Sequence, residues 1–301
     1  MRTPLIGLLA ALCLAGCATR NACVSELPVT SFTLKVPMAE DRASEVTVWQ
    51  PAAAGTYPLV VFSHGAFAAP ERYAELLNHI AAGGYVVAAP LHIDSELIQR
   101  DAPPPLDQVW GTRKEDVALL LAPATPLTNL LRQGANISDR RIAAGHSYGG
   151  FGAQVMGGAR ATGETLVPAD QWADAILAYS PPGVLPGFID EQSWDEIARP
   201  QLLLTGTTDV LPGFLDDWRD HTAGHTAAKP GDQWLWVGNE VDHYFGRLMG
   251  RLDRDAAPAR AQFDLALVTT REFLNTYAPS GAVCSQPLAT YNNETARLTR
   301  R

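Results

Sequence analysis

Between Pro58 and Val237 the chain carries six short apolar runs: Pro58–Phe62, Tyr85–Ala89, Ile142–Ala144, Ala175–Ala178, Leu202–Leu204 and Trp234–Val237. A strand with one wet face alternates apolar and polar residues, whereas a strand covered on both faces does not. These runs therefore predict buried strands of a parallel sheet with helices on both sides. Helical patterns lie between or after them, at Arg72–Ala82, Arg113–Leu131, Phe151–Gly158 and Ala259–Tyr277. The alternation predicts an α/β fold with a mostly parallel, doubly wound sheet. Upstream, Ser31–Val36 and Glu45–Trp49 do alternate, and read as half-exposed antiparallel strands.

With 301 residues the chain holds one large catalytic domain and has no room for two. A net charge of −9 and no Lys/Arg cluster argue against a nucleic-acid partner. No internal repeat or low-complexity tract is read from the sequence. The Pro/Gly-rich stretch 181–199, which holds Trp194, is too long for a tight connection and is expected to wall or cover a site.

The N-terminus reads as a targeting segment. Arg2 precedes the apolar stretch Leu5–Leu14, too short to span a bilayer, and Leu14-Ala15-Gly16-Cys17 resembles a bacterial lipobox. The expected organisation is a signal peptide at 1–16, a lipidated Cys17 opening a tether at 17–30, and a catalytic domain at 31–301. Ala18, rather than aspartate, follows the cysteine and favours the outer membrane under the rules for such lipoproteins. Cys13 leaves with the signal, so the exported chain keeps Cys23 and Cys284 free to pair in an oxidising compartment.

Gly145-His146-Ser147-Tyr148-Gly149 follows one apolar run and precedes a small-residue helix. G-x-S-x-G on a strand–turn–helix boundary lifts a serine hydroxyl off the sheet and leaves the next N–H at a helix start, where an oxyanion is stabilised. Ser147 is the expected nucleophile and Tyr148 the first oxyanion N–H. A serine needs a base, and the base an acid to hold its tautomer. Asp209 closes Leu202–Thr208 and is the expected acid; His243 follows the strand 234–237 and is the expected base. His221 and His225, in a polar stretch before that strand, are expected to be solvated. Ser63-His64-Gly65-Ala66-Phe67 follows the first core strand, with Ala66 expected to supply the second oxyanion N–H. Phe67, Trp110 and Trp194 are expected to line the substrate pocket. The histidines are scattered, with no HExxH or paired-cysteine spacing and no dinucleotide fingerprint, so no metal or cofactor is implied.

The runs Pro58–Gly65, Gly84–Pro90 and Gly145–Gly150 together resemble the α/β-hydrolase superfamily. More narrowly they resemble its platelet-activating-factor acetylhydrolase-like and dienelactone-hydrolase-like bacterial branch, which includes chlorophyllases and cutinase relatives. The resemblance implies the α/β-hydrolase fold, the triad Ser147, Asp209 and His243, and oxyanion N–H groups at Ala66 and Tyr148. It also implies a structural pair of Arg113 and Asp116. Ser147 stands where dienelactone hydrolases carry cysteine, and Tyr148 where polyester hydrolases carry methionine. The expectation is an exported, lipid-anchored serine hydrolase of carboxylic esters. A thioesterase, an acyltransferase or a non-catalytic binding lipoprotein remain alternatives.

Overall fold

The computed structural model describes residues 25–39, 42–162, 164–251, 259–284 and 286–301. The expected signal peptide, Cys17 and Cys23 lie outside them. Ten strands among the described residues form one sheet, in the order β1 (Val29–Pro37), β2 (Ala43–Pro51), β4 (Val86–Pro90), β3 (Gly55–Ser63), β5 (Ala135–His146), β8 (Ala175–Tyr179), β9 (Gln201–Gly206), β10 (Gln233–Gly238), β12 (Ala296–Arg300) and β11 (Tyr291–Asn292). The run from β4 to β10 is parallel throughout, and the two strands at either end are antiparallel. A separate hairpin pairs β6 (Arg160–Ala161) with β7 (Glu164–Thr165).

Every residue of β4, β8 and β9 is buried, as continuous apolar strands require. Period two still operates inside them. Val60, Phe62, Val87 and Leu204 join one core with α1 (Ala74–Ala82) and α5 (Arg260–Tyr277). Leu59, Val61, Val86 and Ile176 join the other with α2 (Leu106–Leu121) and α3 (Tyr148–Val155). A short α4 (Ala223–Ala227) precedes β10. Burial of two such layers is the main favourable term of the fold, at about 25 cal/mol per Å² of apolar surface.

The chain passes from β3 to β4 on one side and returns to β5 on the other, so the order reverses at β3. A crevice opens at the carboxyl ends of the strands flanking such a switch, where ligands settle in open α/β sheets. Ser63 and Gly145 are register partners there, and the loops leaving them carry Ala66 and Ser147.

Three expectations needed correction. The helix expected at 113–131 is α2 at 106–121, because Pro123 forces Ala122 out of helical ψ (149°). The chain joins the domain before residue 31, since the Leu27 N–H donates to the Ala82 carbonyl at 2.8 Å. The C-terminal strand β12 was not foreseen; its alternation, with Ala296 and Leu298 buried, seats it on β10. No helix among the described residues is long and apolar enough to cross a membrane.

Candidate active site

Ser147 stands between β5 and α3 with φ 54° and ψ −122°, a backbone position that a side chain occupies at a cost of about 1–3 kcal/mol. Its N–H donates to the Tyr179 carbonyl at 2.8 Å, and its carbonyl accepts from Gly150 N–H at 2.8 Å. The turn works only because the neighbouring backbone passes very close: a Cβ on Gly149 would lie 2.0 Å from the Ser63 carbonyl oxygen. α3 begins directly at Tyr148, three residues earlier than expected, so the Tyr148 N–H sits in the first turn, where helix donors lack partners.

The loop after β3 is clamped from two sides. Gly65 N–H donates to the Tyr73 hydroxyl at 3.0 Å, and Phe67 N–H to Asp94 Oδ2 at 3.1 Å. The Ala66 N–H between them meets no acceptor among the described residues. Asp94 is itself gripped bidentately by buried Arg113, at 2.8 and 2.9 Å. Arg113 also donates to the His64 and Gly65 carbonyls, at 2.7 and 3.1 Å. Burial works to raise the Asp94 pKa, and the Arg113 hydrogen bonds and charge hold it below its usual range. Arg113 and Asp116 are therefore not a pair: Arg113 serves the loop, while Asp116 accepts from Arg42 at 2.6 Å. One guanidinium with five donors satisfies three buried acceptor groups here, which lysine could not do.

His243 lies on the loop after β10. Asp209, fully buried after β9, accepts from His243 Nδ1 through Oδ1 at 2.8 Å and from the Thr205 hydroxyl through Oδ2 at 2.7 Å. The loop is held by Phe245, which has φ 51° and is stacked 5.9 Å from Trp236. Asp242 caps the same turn, accepting from Tyr244 and Gly246 N–H. His146 Nε2 donates to the His243 carbonyl at 2.8 Å while Nδ1 accepts from Tyr73 at 2.9 Å. Burial, then the nearby His243, push His146 down to about 3, so it stays a neutral connector.

His221 was expected on the surface and is fully buried. Nδ1 donates to the Pro181 carbonyl at 2.8 Å, and Nε2 lies 3.0 Å from the same Asp209 oxygen, off the line of an ideal hydrogen bond. With acceptors at both nitrogens, the imidazolium is the form that fits. Burial opposes charging it, but the Asp209 hydrogen bond and charge outweigh burial and raise its pKa. Asp209, which burial alone would raise, is held far below its usual value by its two histidines. Nothing in the local sequence marks His221; its role depends on a contact twelve residues back along the chain. His225, also expected to be solvated, is half-buried on α4.

Asp209, His221 and His243 also form a compact His/Asp group of the kind that holds metals. Their contacts of 2.8 and 3.0 Å converge on one carboxylate oxygen. Ligands about 2.0–2.1 Å from a tetrahedral zinc would stand farther apart than that. The arrangement is that of one carboxylate hydrogen-bonded to His243 and in ion-pair contact with His221.

Ser147 and His243 face one cavity of about 760 Å³, lined also by Phe67, Trp110, Phe188 and Phe214. Phe67 stands exposed at its mouth, and Trp110 packs on Tyr148 with centroids 5.7 Å apart. Trp194 does not line it; the ring is buried, and its indole N–H donates to Gln154 Oε1 at 3.0 Å. An indole that large is drawn into the core once its one donor has a buried partner. His64 and His92 are buried beneath the loop after β3, where His64 Nε2 accepts from the His92 N–H at 3.1 Å. Of the expected cysteine pair, Cys284 lies among the described residues and Cys23 outside them.

Residues 23–160, just under half of the chain, match the model of the Chlorophyllase family. That match contains Ala66, Arg113 and Ser147 and ends before Asp209 and His243. Chlorophyllase-1 of Arabidopsis thaliana is 37% identical over 70 residues, a stretch covering 22% of this chain and 21% of that protein's length. A solved structure described as a dienelactone hydrolase, from Klebsiella pneumoniae subsp. pneumoniae MGH 78578, superimposes with a TM-score of 0.53. It has 16% identity and covers 79% of this chain and 95% of its own. With the parallel sheet and the serine turn after β5, these likenesses identify the chain as a relative within the α/β-hydrolase superfamily.

Proposed function

We propose that the protein hydrolyses carboxylic esters through an acyl-enzyme formed on Ser147. The Ser147 hydroxyl attacks the ester carbonyl carbon while His243 Nε2 takes its proton. The Tyr148 and Ala66 N–H groups hold the oxyanion. Collapse breaks the bond to the alcohol, which leaves with the proton returned by His243, and a water activated in the same way releases the acid. Asp209 accepts from Nδ1 throughout, fixing the tautomer that leaves Nε2 basic.

The observation that carries this reading is the 2.8 Å bond from His243 to a fully buried carboxylate, beside the serine turn in one cavity. Hydrolysis of a short-chain nitrophenyl ester tests it. Ser147→Ala is expected to lose at least about a thousandfold in turnover, because the three groups act as a unit. A fluorophosphonate should label wild type at Ser147. Equal turnover by the variant, or no labelling of folded protein, would reject the assignment.

A further inference from the structure

The sequence holds a repeat that its composition hides. Val184-Leu185-Pro186-Gly187-Phe188-Ile189-Asp190 recurs 26 residues later as Val210-Leu211-Pro212-Gly213-Phe214-Leu215-Asp216, differing only by Ile189 for Leu215. The expectation of no internal repeat was wrong, because two seven-residue copies are too short to show a period.

The copies fold alike. In the first, Leu185 and Ile189 exchange backbone hydrogen bonds of 2.8 Å, and the Phe188 N–H closes the turn onto the Leu185 carbonyl at 3.0 Å. In the second, Leu211 and Leu215 exchange bonds of 2.8 Å, and Phe214 closes onto Leu211 at 2.9 Å. Gly187 and Gly213 both take φ 77° after proline, the type II turn that Pro-Gly favours. Each copy is a small finger with a phenylalanine at its tip. The fingers leave the carboxyl ends of the neighbouring strands β8 and β9, and Asp209 is the residue directly before the second.

Both tips line the cavity that holds Ser147, yet their surroundings differ. Phe188 is packed, with its centroid 4.9 Å from Trp110 edge-on and 5.6 Å from Phe151. Phe214 is 58% exposed and stacks on no ring among the described residues. Leu106, also on this cavity, is 80% exposed. Apolar surface left in water at a cavity mouth is surface that binding can bury.

We infer that the paired fingers hold a flexible aliphatic chain of the ester over Ser147, with Phe188 as a fixed wall and Phe214 as the wall completed by the substrate. This rests on the ester-hydrolase reading and deepens it: the substrate class is esters bearing a medium to long alkyl chain. The exposed tip serves the single substrate molecule and not a lipid surface, because it opens on the same cavity as the nucleophile.

The test compares p-nitrophenyl acetate and p-nitrophenyl decanoate, in solution below micelle formation, for wild type, Phe214→Ser, Phe214→Leu and Val268→Ser. Val268 is an exposed apolar residue on α5, outside the cavity. Phe214→Ser is expected to lower the decanoate-to-acetate ratio of kcat/KM about tenfold, the scale on which an apolar pocket discriminates. Phe214→Leu should restore most of the ratio, and Val268→Ser should leave it as in wild type. An unchanged ratio in Phe214→Ser would overturn the proposal. So would loss of binding to phosphatidylglycerol vesicles with the ratio intact, which would make the tip a membrane contact. If wild type cleaves neither ester, the catalytic reading fails by itself. Titration with decanoic acid then decides the fingers, which stand if wild type binds it and Phe214→Ser does not, and fall otherwise.

Discussion

A single carboxylate shared by two histidines makes Asp209 the residue on which pH dependence turns. His221 faces Asp209 through Nε2, the Pro181 carbonyl through Nδ1, the Asp220 charge nearby, and the His243 ring at 5.4 Å. Its pKa is raised in the fold from an ordinary 6.5. A raised histidine contributes stability that is present below the unfolded value and lost as pH rises through the folded value. Wild type should therefore lose thermal stability as pH climbs past the ordinary histidine range, and His221→Gln should lack that part of the decline. A His221→Gln variant whose Tm declines with pH as steeply as that of wild type would reduce His221 to packing. The meeting of Asp209 with His243, and of both with the serine turn at Ser147, was legible because each residue follows an apolar strand. His221 was not, since its meaning lies in a tertiary contact from a stretch with no periodicity.

Among the elements, α2 links the sheet to the chemistry. Its Arg113 is buried against Asp94 and the carbonyls of His64 and Gly65, with the guanidinium 5.0 Å from the Tyr148 ring centroid. Removing one partner of a buried pair costs about 3–5 kcal/mol, because the other charge is left uncompensated. Arg113→Met should lower stability on that scale, measured by urea denaturation. The double variant Arg113→Met, Asp94→Leu should recover part of the loss, since it strands no charge. Turnover should stay impaired in both, because the Phe67 N–H loses either its acceptor or the cation that orients it. Full activity in the double variant would show that Ala66 needs no clamp. The parallel strands were readable from apolar runs alone, four of the six within a residue or two of their ends, whereas β3 begins three residues and β5 seven residues before its run. Helix ends were less so: the signal that stops α2, a proline at 123, competed with apolar periodicity continuing to Leu131. Strand β12 escaped for a related reason, being five residues long with only Ala296 and Leu298 apolar, so only its pairing to β10 reveals it.

At the scale of the whole molecule, we propose an enzyme tethered outside the cytoplasm, with lipid on Cys17 and a bridge from Cys23 to Cys284. The N-terminal segment is already tied to the domain where it is first described: Glu26 accepts from Arg271 on α5 at 2.8 Å. A bridge to Cys284 would close nearly the whole domain into one loop. In the chain-entropy account, a loop that long removes up to about 5 kcal/mol of freedom from the unfolded state. Reductant should then lower Tm by several degrees while room-temperature turnover holds, since Ser147, Asp209 and His243 are fixed by the sheet and its loops. The anchor is separable from the bridge. Cys17→Ser should leave the membrane fraction, because stable attachment needs more than one acyl chain and those chains would sit on this residue. It should keep both its Tm and its response to reductant. Mass spectrometry of the mature chain locates the bridge directly, and a free thiol at Cys23 would remove it. A Cys17→Ser protein that still sediments with membranes would remove the anchor, leaving the exposed apolar rim of the cavity as the surface to examine next.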